Sequence, residues 1–344
     1  MSLSLGYVGM KVSDAFSSAL QRYWGPDGLS WLLLLGTIVL AAVVTFRQQL
    51  DAAWSVRGFV RYALPPLQLR HPSARADALL WLTHRLVSPL LLAPMAITAA
   101  TTGYAVNAAL SHLFGLSHPP STGVTPALMV LFTVTMLVAY DFSYYVYHYL
   151  QHSIPFMWEL HALHHSAEVM VGITKDRIHP LDQVMNNLWD GILPGIVYGL
   201  WMFVCLDPVE VLVFGVNVYV LRNILMMDFV RHTHYPFSFG RVLDRVILCP
   251  HAHQLHHSRA LKHYNKNFGL MFSVWDRLFG TMVDPQPGET FLFGINERDS
   301  EYHSLFGMYV RPVARMVKAL IPSPRKEPGG PASDGAGLGG GATS

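Results

Sequence analysis

The 344-residue chain is 51% hydrophobic and only 13% charged, and its net charge is +2. Soluble domains carry about 25% charged residues, so this composition cannot cover a globular surface of this size with polar side chains. The near-neutral balance excludes a strongly basic nucleic-acid-binding surface, and no nucleic acid partner is expected. The two cysteines, Cys205 and Cys249, are too few for a disulfide framework or an iron–sulfur site. We therefore predict an integral membrane protein.

Stretches without charge mark the predicted membrane spans. Residues 28–46 contain no Asp, Glu, Lys or Arg and have about the length that a helix needs to cross a bilayer. A longer uncharged stretch is interrupted by Gly and Pro at 115–123, which predicts a hairpin of spans at 86–106 and 124–146. The apolar region 191–221 is split by the sequence DPVE. Two interpretations of this region stay open: two short spans, or a re-entrant hairpin that does not cross.

The arginines indicate how the chain is oriented in the membrane. Six of them fall between residues 47 and 85, whereas the hairpin tip at 115–123 has no Lys or Arg. The positive-inside rule places 47–85 in the cytoplasm, so the span at 124–146 returns to the cytoplasmic side. The predicted fold class is an all-α integral membrane protein with about four to five membrane helices and a cytoplasmic helical cap that carries the histidine boxes described next.

The predicted domain organisation has five parts. They are an N-terminal lead-in (1–27), membrane anchor helices (28–124), a histidine-box domain (125–285), a C-terminal cytoplasmic segment (286–321) and a Pro/Gly-rich tail predicted to be disordered (322–344).

Three histidine boxes are the main chemical signal among the 18 histidines. HYLQH contains His148 and His152, HALHHS contains His161, His164 and His165, and HQLHHS contains His253, His256 and His257. Residues three and four apart share one face of a helix, so the imidazoles of each box are predicted to point together at a metal. A chain with this histidine content contains one H-x-x-H-H pattern about 0.05 times by chance, so its occurrence twice indicates a metal site.

The number of imidazoles indicates which kind of metal site this is. Structural zinc takes four ligands and catalytic zinc takes three protein ligands, whereas the boxes supply eight. Two metal ions with four or five imidazoles each would use them. Neutral imidazoles with open coordination positions favour redox chemistry with dioxygen over hydrolysis.

The order HxxxH, HxxHH, HxxHH at the inner ends of membrane helices resembles the fatty acid hydroxylase/sterol desaturase superfamily. The flanking sequences CPHAHQLHHS, YNKNFGLMFSVWDRLFGTM and KDRIHPLDQV are also similar to elements of that superfamily, and the match covers about 125–285. The resemblance implies a non-haem di-iron centre that uses O2 to oxidise a C–H bond of a lipid in lipid biosynthesis. Fatty acyl chains and sterols are the implied substrates, and hydroxylation and desaturation stay open as reactions.

The resemblance also implies the ligands of the two irons. They are His148, His152, His161, His164, His165, His253, His256 and His257. The superfamily supplies at least one more histidine upstream of the last box, and the sequence RHTHYPF offers His232 and His234 as candidates. No catalytic residue beyond the metal ligands is predicted.

Other parts of the reaction are expected from outside the chain. The sequence has no flavin or nicotinamide fingerprint, so electrons are expected from a separate electron-donor protein that docks on the cytoplasmic face. The lipid substrate and membrane lipids are the other expected partners.

Three residues near the boxes have more than one interpretation. Asp141 lies two helical turns before His148, and it either accepts a hydrogen bond from a ligand histidine or is an interfacial helix residue. Asp182 is predicted to lie in a solvated loop rather than beside a ligand. Trp158 is predicted to belong to an aromatic belt at the level of the lipid headgroups.

Two alternative functions come from other protein classes. A metal transporter places ionisable groups within the bilayer, but the predicted spans at 28–46 and 86–106 contain no charged residue. A haem-binding membrane protein would need two axial histidines within spans, whereas the boxes form triplets at the ends of spans. About two irons per chain would support the oxidoreductase over both alternatives.

Overall fold

The computed structural model describes residues 28–49, 54–115, 125–204, 212–213, 216–217 and 227–321. Most of these residues are helical, as the sequence predicted. The helices are α1 (Gly28–Gln49), α2 (Val56–Ala63), α3 (Pro66–Leu69), α4 (Pro72–Phe114), α5 (Pro126–Ser153), α6 (Pro155–His165), α7 (Pro180–Val204), α8 (Asp228–Arg231), α9 (Pro250–His256), α10 (Val274–Leu278) and α11 (Leu305–Leu320). Short 3₁₀ helices occupy Ile173–Asp176, Leu243–Arg245, Leu261–His263 and Glu297–Tyr302, and the strands β1 (Leu212–Val213) and β2 (Val216–Asn217) pair antiparallel.

One helix of the described part of the chain is long and apolar enough to cross a membrane. It is α5, with a mean hydropathy of 1.6 over an 18-residue window. A shorter apolar helix, Leu32–Gln48, lies within α1. Helix α4 is longer than the span predicted at 86–106, because Pro72 begins it and a left-handed Gly115 follows its last residue. The count of four to five membrane helices stays a prediction.

Several predicted segments lie outside the described residues. They are the lead-in at 1–27, residues 116–124 of the hairpin tip, the DPVE sequence within 205–211 and the tail at 322–344.

The break between α5 and α6 positions the first two histidine boxes. Ile154, which separates the helices, is extended, with φ −103° and ψ 117°. Pro155 begins α6, where its missing N–H costs no helical hydrogen bond and its fixed φ suits a first turn. The chain therefore changes direction at one residue, and α5 packs against α6.

Three glycines on one face of α7 allow it to pack closely against α4. Gly191, Gly195 and Gly199 are spaced four residues apart, so they share one helix face. A Cβ on Gly199 would lie 2.5 Å from the carbonyl oxygen of Gly103, and a Cβ on Gly191 would lie 2.5 Å from Cβ of Thr98. Small residues let helix backbones approach closely, and this contact fixes the position of α7 relative to α4.

A leucine at this contact should separate the two helices. Gly199→Leu would place a Cβ against backbone atoms that cannot rotate away, and overpacking of this kind costs about 2–3 kcal/mol. We expect the Tm of the purified protein in detergent to fall by about 5 °C or more. Gly36→Leu in α1 is the matched control, because a Cβ there meets no atom within 4 Å. Equal melting of the two variants would contradict the close packing.

A hydrophobic core lies where α4, α6 and α11 meet. Its buried residues are Ala76, Leu80, Leu163, Tyr302 and Met308.

Arg177, from the sequence KDRIHP, is fully buried beside this core. It donates hydrogen bonds to the Asp77 carboxylate (2.6 Å), the Leu163 carbonyl (3.0 Å) and the Ser166 hydroxyl (2.9 Å). One guanidinium thus joins α4 to the end of α6, where the second histidine box lies.

Candidate metal centre

Nine buried or half-buried histidines form two groups at the C-terminal end of α5. The first group contains His148 and His152 from α5, His161 and His165 from α6, and His256 from α9. The second group contains His164 from α6, His232 after α8, and His253 and His257 from the last box. Each ring offers one nitrogen, either Nδ1 or Nε2, and within each group these nitrogens all lie within 4.8 Å of one another. All three predicted boxes therefore converge.

Each HxxHH box supplies histidines to both groups, which the sequence did not predict. His161 and His165 belong to the first group, whereas His164 belongs to the second. The last box is divided in the same way, with His256 in the first group and His257 in the second. Consecutive residues point about 100° apart around a helix, so adjacent histidines diverge toward different groups. Our expectation that each triplet would point at a single metal was wrong.

Short contacts join ring nitrogens within both groups, and Nε2 of His165 lies 3.2 Å from Nε2 of His161 in the first. Nε2 of His232 lies 3.2 Å from Nε2 of His164 and 3.1 Å from Nε2 of His253, and Nε2 of His257 lies 3.2 Å from Nε2 of His253. Ligand nitrogens about 2.0–2.1 Å from a tetrahedral metal are about 3.3 Å apart. The contacts therefore fit the edges of a metal coordination sphere.

Of the two candidates in RHTHYPF, the structure brings only His232 into a group. His234 lies outside both groups, and its Nε2 is 2.7 Å from the carbonyl oxygen of Tyr62. That carbonyl requires a donor, so Nε2 of His234 carries the proton of this hydrogen bond. His234 thus holds the C-terminal end of α2 rather than joining the other histidines.

Burial keeps the imidazoles of the two groups neutral. It lowers the pKa of His164 to about 3, and it lowers the pKa of six further histidines well below the ordinary value. These six are His161, His165, His232, His253, His256 and His257. A neutral imidazole keeps a lone pair on one nitrogen, which is the form that binds a metal.

Nitrogens without partners support metal binding by the first group. Nε2 of His148, His152 and His256 is buried, and among the described residues none of these atoms has a hydrogen-bond partner. Leaving a buried polar atom unpaired costs about 1–3 kcal/mol. Three such atoms in one group fit a site built to hold a cation.

Backbone carbonyls orient two of these rings. Nδ1 of His148 lies 2.8 Å from the carbonyl oxygen of Phe268, and Nδ1 of His256 lies 2.7 Å from that of Lys266. Donation from Nδ1 leaves Nε2 as the atom with the free lone pair. The loop that contains both carbonyls therefore sets which nitrogen faces the group.

Asp141 holds the chain just after that loop and does so through backbone and indole N–H groups. Its carboxylate accepts hydrogen bonds from Met271 N (2.7 Å), Phe272 N (3.1 Å) and Trp275 Nε1 (2.8 Å). The carboxylate thus fastens 271–275 to α5, a role that neither interpretation of Asp141 from the sequence included.

Asp182 and Trp158 lie next to the first group, and for Asp182 this is contrary to the sequence interpretation as part of a solvated loop. Asp182 is buried in the first turn of α7, and its Oδ2 is 3.6 Å from Nδ1 of His161. The same carboxylate accepts hydrogen bonds from Tyr147 and Gln151. The ring centroid of Trp158 is 5.0 Å from that of His152. In the sequence, only the closeness of Asp182 to RIHP indicated that this residue lies near the histidines. No sequence pattern indicated the same for Trp158.

Comparisons with known proteins show which family resembles the segment that contains both groups. Residues 133–281 match the model of the fatty acid hydroxylase family. The chain is 29% identical over 163 residues to an ornithine lipid hydroxylase of Rhizobium tropici, which covers 47% of this chain and 45% of that protein. It is 25% identical over 178 residues to alkylglycerol monooxygenase of Homo sapiens, covering 49% of this chain and 36% of that protein.

A cholesterol 25-hydroxylase-like protein of Danio rerio is 27% identical over 154 residues, with 43% of this chain and 49% of that protein covered. The chain thus spans less than half the length of each of these relatives. No solved structure matches the chain with statistical significance. The histidine-bearing segment 133–281 belongs to the fatty acid hydroxylase/sterol desaturase superfamily.

Proposed function

We propose that this chain is a membrane-bound, O2-dependent di-iron oxidoreductase that hydroxylates a lipid. The observation that carries the proposal is the convergence of five and four neutral imidazoles into two adjacent groups within the superfamily segment. Hydroxylation is chosen over desaturation because the similar proteins are named as hydroxylases and monooxygenases. Fatty acyl chains, sterols and other lipids all stay within the proposed substrate class.

We assign one iron to each group of histidines. The first would be held by His148, His152, His161, His165 and His256, and the second by His164, His232, His253 and His257. Iron at these sites supplies the reduction of dioxygen and the removal of hydrogen from carbon, which protein side chains cannot perform alone. The balanced reaction converts R–H, O2, two electrons and two protons into R–OH and water.

The side chains around the groups exclude water and fix the rings. All four histidines of the second group are buried, and so are four of the five in the first. The carbonyls of Phe268 and Lys266 select the Nδ1–H tautomer of two rings. The carboxylate of Asp182 lies beside His161, where a negative charge raises the basicity of a ligand.

The packing of α11 supports a position of the histidine groups at the membrane surface. Tyr309 of α11 is hydrogen-bonded through its hydroxyl to Thr83 of α4 at 2.8 Å, three residues before the uncharged stretch begins. The exposed face of α11 presents Phe306, Val310 and Val317, with Arg311 and Lys318 beside them. Amphipathic helices of this kind lie in the plane of an interface. The arginine distribution of 47–85 supports a position of that interface on the cytoplasmic side.

The remaining parts of the proposal follow from this orientation. We propose that 28–124 anchors the chain in the membrane, that 125–285 is the oxygenase domain and that 286–321 completes the cytoplasmic cap. A separate electron-donor protein would supply the two electrons from the cytoplasmic face. The grouping of nine histidines around two centres argues against a haem protein, which needs two axial ligands, and against a transport path through the bilayer.

The proposal is tested by oxygen incorporation. Purified protein loaded with iron, supplied with reductant and a membrane lipid extract, should transfer one atom from ¹⁸O2 into a lipid. We expect His256→Gln to lower the rate by more than a hundredfold, on the order of the loss expected for a metal ligand. Incorporation that is equal in the wild type and in His256→Gln, or absent from iron-loaded wild type with all lipid classes, would reject the function.

A further inference from the structure

A cavity of ≈ 350 Å³ opens onto the first histidine group from the side of the cap. His152, His165 and His256 form its floor, and His152 is the one member of the first group that is not fully buried. Trp158 and Asn265 line its sides. A molecule in this cavity therefore contacts the rings proposed to hold one of the two irons.

The outer wall of the cavity is a fixed loop at residues 294–298. Gly294 has φ +97°, and a Cβ there would lie 2.4 Å from Oδ2 of Asp299. The buried Asp299 carboxylate accepts a hydrogen bond from Ile295 N at 3.0 Å and pairs with Arg259. Arg259 also donates to the carbonyl of Asn296 at 3.1 Å. These contacts set the wall in place without a ligand.

Asn265 also lines the cavity, and its φ is +57°, in the left-handed region. Asparagine adopts this region more readily than most residues other than glycine, and backbone conformations of this kind concentrate at functional sites.

Five polar side chains line the cavity beside the three histidines and Trp158. They are Ser258, Tyr264, Asn265, Asn296 and Arg298, and Ile295 is the aliphatic member. Each amide or hydroxyl covered by hydrocarbon without a new partner costs about 1–3 kcal/mol. A polar group that bonds to these side chains therefore suits the cavity better than an acyl chain does.

Arg298 provides the charge that selects an occupant. Its guanidinium has five N–H donors, and Glu159 accepts one of them at a distance of 3.5 Å. The pair is partly exposed, with 32% of the Arg298 side chain and 21% of the Glu159 side chain accessible, so the pairing is weak. An oxyanion can exchange with Glu159 at this site at little cost.

We propose that this cavity binds the headgroup of the lipid substrate, a polar group with one negative charge and hydroxyl or amide substituents. This inference rests on the proposed function and deepens it. The cavity has room for about a dozen water-sized groups, which suits a headgroup and not an entire lipid. Because the floor of the cavity is made of ligand rings, the carbon that is hydroxylated lies in the headgroup or within a few bonds of it.

Photolabelling of the purified full chain in nanodiscs tests the assignment without turnover. Two phosphatidylglycerols are compared, one with a diazirine in the headgroup and one with a diazirine at the end of an acyl chain. We expect the headgroup probe to label peptides that contain 258–265 and 294–298, and the chain-end probe to label other segments. Labelling of the cavity by the chain-end probe would overturn the assignment.

Variants at the rim add a second readout. Arg298→Gln should weaken labelling by the headgroup probe about fivefold, because hydrogen bonds to a charged group are the stronger ones. Tyr264→Phe, which removes one neutral hydroxyl, should weaken it about twofold. Arg277→Gln is the matched control, since Arg277 is also partly exposed and pairs with Asp284. Unchanged labelling of folded Arg298→Gln and Tyr264→Phe would overturn the assignment.

Competition with a soluble anion distinguishes a site for a lipid headgroup from a site for a free phosphate. Glycerol 3-phosphate at the concentration of the probe should not displace it, because the lipid is held by its tail in the membrane. Displacement would show a site for a free phosphate and overturn the assignment to a lipid headgroup.

The position of the incorporated ¹⁸O separates this inference from the proposed function. Oxygen in the headgroup or on its neighbouring carbons supports both. Oxygen in the middle of a chain overturns the inference and leaves the function intact. A cavity that is labelled by the headgroup probe in a chain that never incorporates ¹⁸O is a lipid-headgroup site without the proposed reaction, a result that rejects the function and with it the assignment to a substrate.

Discussion

His232→Gln should lower the iron content of the purified protein from about two atoms per chain to about one, whereas His234→Gln should keep about two. Nε2 of His232 lies between Nε2 of His164 and Nε2 of His253, at 3.2 and 3.1 Å. Its loss removes the central ligand of the second group, and even residues outside the ligand shell change metal affinity by about 10–100-fold. Inductively coupled plasma mass spectrometry of protein purified in iron-replete medium measures the result.

His234→Gln is a close control, since the two histidines are separated by one residue. Its Nε2 already donates to the carbonyl of Tyr62, and a glutamine amide retains a donor for that contact. Because the groups are separate, His152→Gln in the first group should leave the iron of the second group in place. Iron loss in His234→Gln together with full iron in His232→Gln would contradict the assignment of ligands.

Arg177→Met should destabilise the protein by about 3–5 kcal/mol, the cost of breaking a buried ion pair by removing one partner. Arg177 and Asp77 are both fully buried in their side chains, and the substitution leaves the Asp77 carboxylate without its guanidinium. The carbonyl of Leu163 and the hydroxyl of Ser166 lose their donor as well. Thermal unfolding in detergent should show the loss, and iron content should fall because the end of α6 is released.

Two further variants make this expectation specific. Arg277→Met removes an exposed partner of Asp284, and exposed ion pairs contribute about 0–1 kcal/mol, so its unfolding should stay close to that of the wild type. Arg177→Met combined with Asp77→Leu removes both charges and should recover part of the lost stability. A double variant that is less stable than Arg177→Met would show that the ion pair is not the source of the effect.

Local patterns predicted the parts of the site that depend on helical spacing. His148 and His152 do lie on one face of α5, and His161, His165 and His256 from the second and third boxes join them in the first group. The resemblance of the flanking sequences to one superfamily was confirmed by the match over 133–281. These features are encoded within a few residues of each other, so periodicity alone reveals them.

Local patterns could not resolve features that depend on distant contacts. His232 and His234 are two residues apart in a segment that leaves helical conformation after Arg231, so no periodicity distinguishes them. The interpretation of Asp182 as solvated was wrong, because its burial comes from Tyr147 and Gln151 on another helix. The role of Asp141 depends on the loop at 271–275, about 130 residues further along the chain.

The sequence by itself determined the helical character of the chain and its three histidine boxes suited to metal, and it predicted a membrane protein, because charge content, hydropathy and the spacing of residues on a helix are local properties. Only the tertiary structure decided that adjacent histidines separate into two groups, that His232 joins one of them while His234 binds a carbonyl, and that a cavity with polar side chains meets the first group. Each of these outcomes depends on where α5, α6, α9 and the 294–298 loop pack against one another, and such contacts between distant segments leave no pattern in either segment alone.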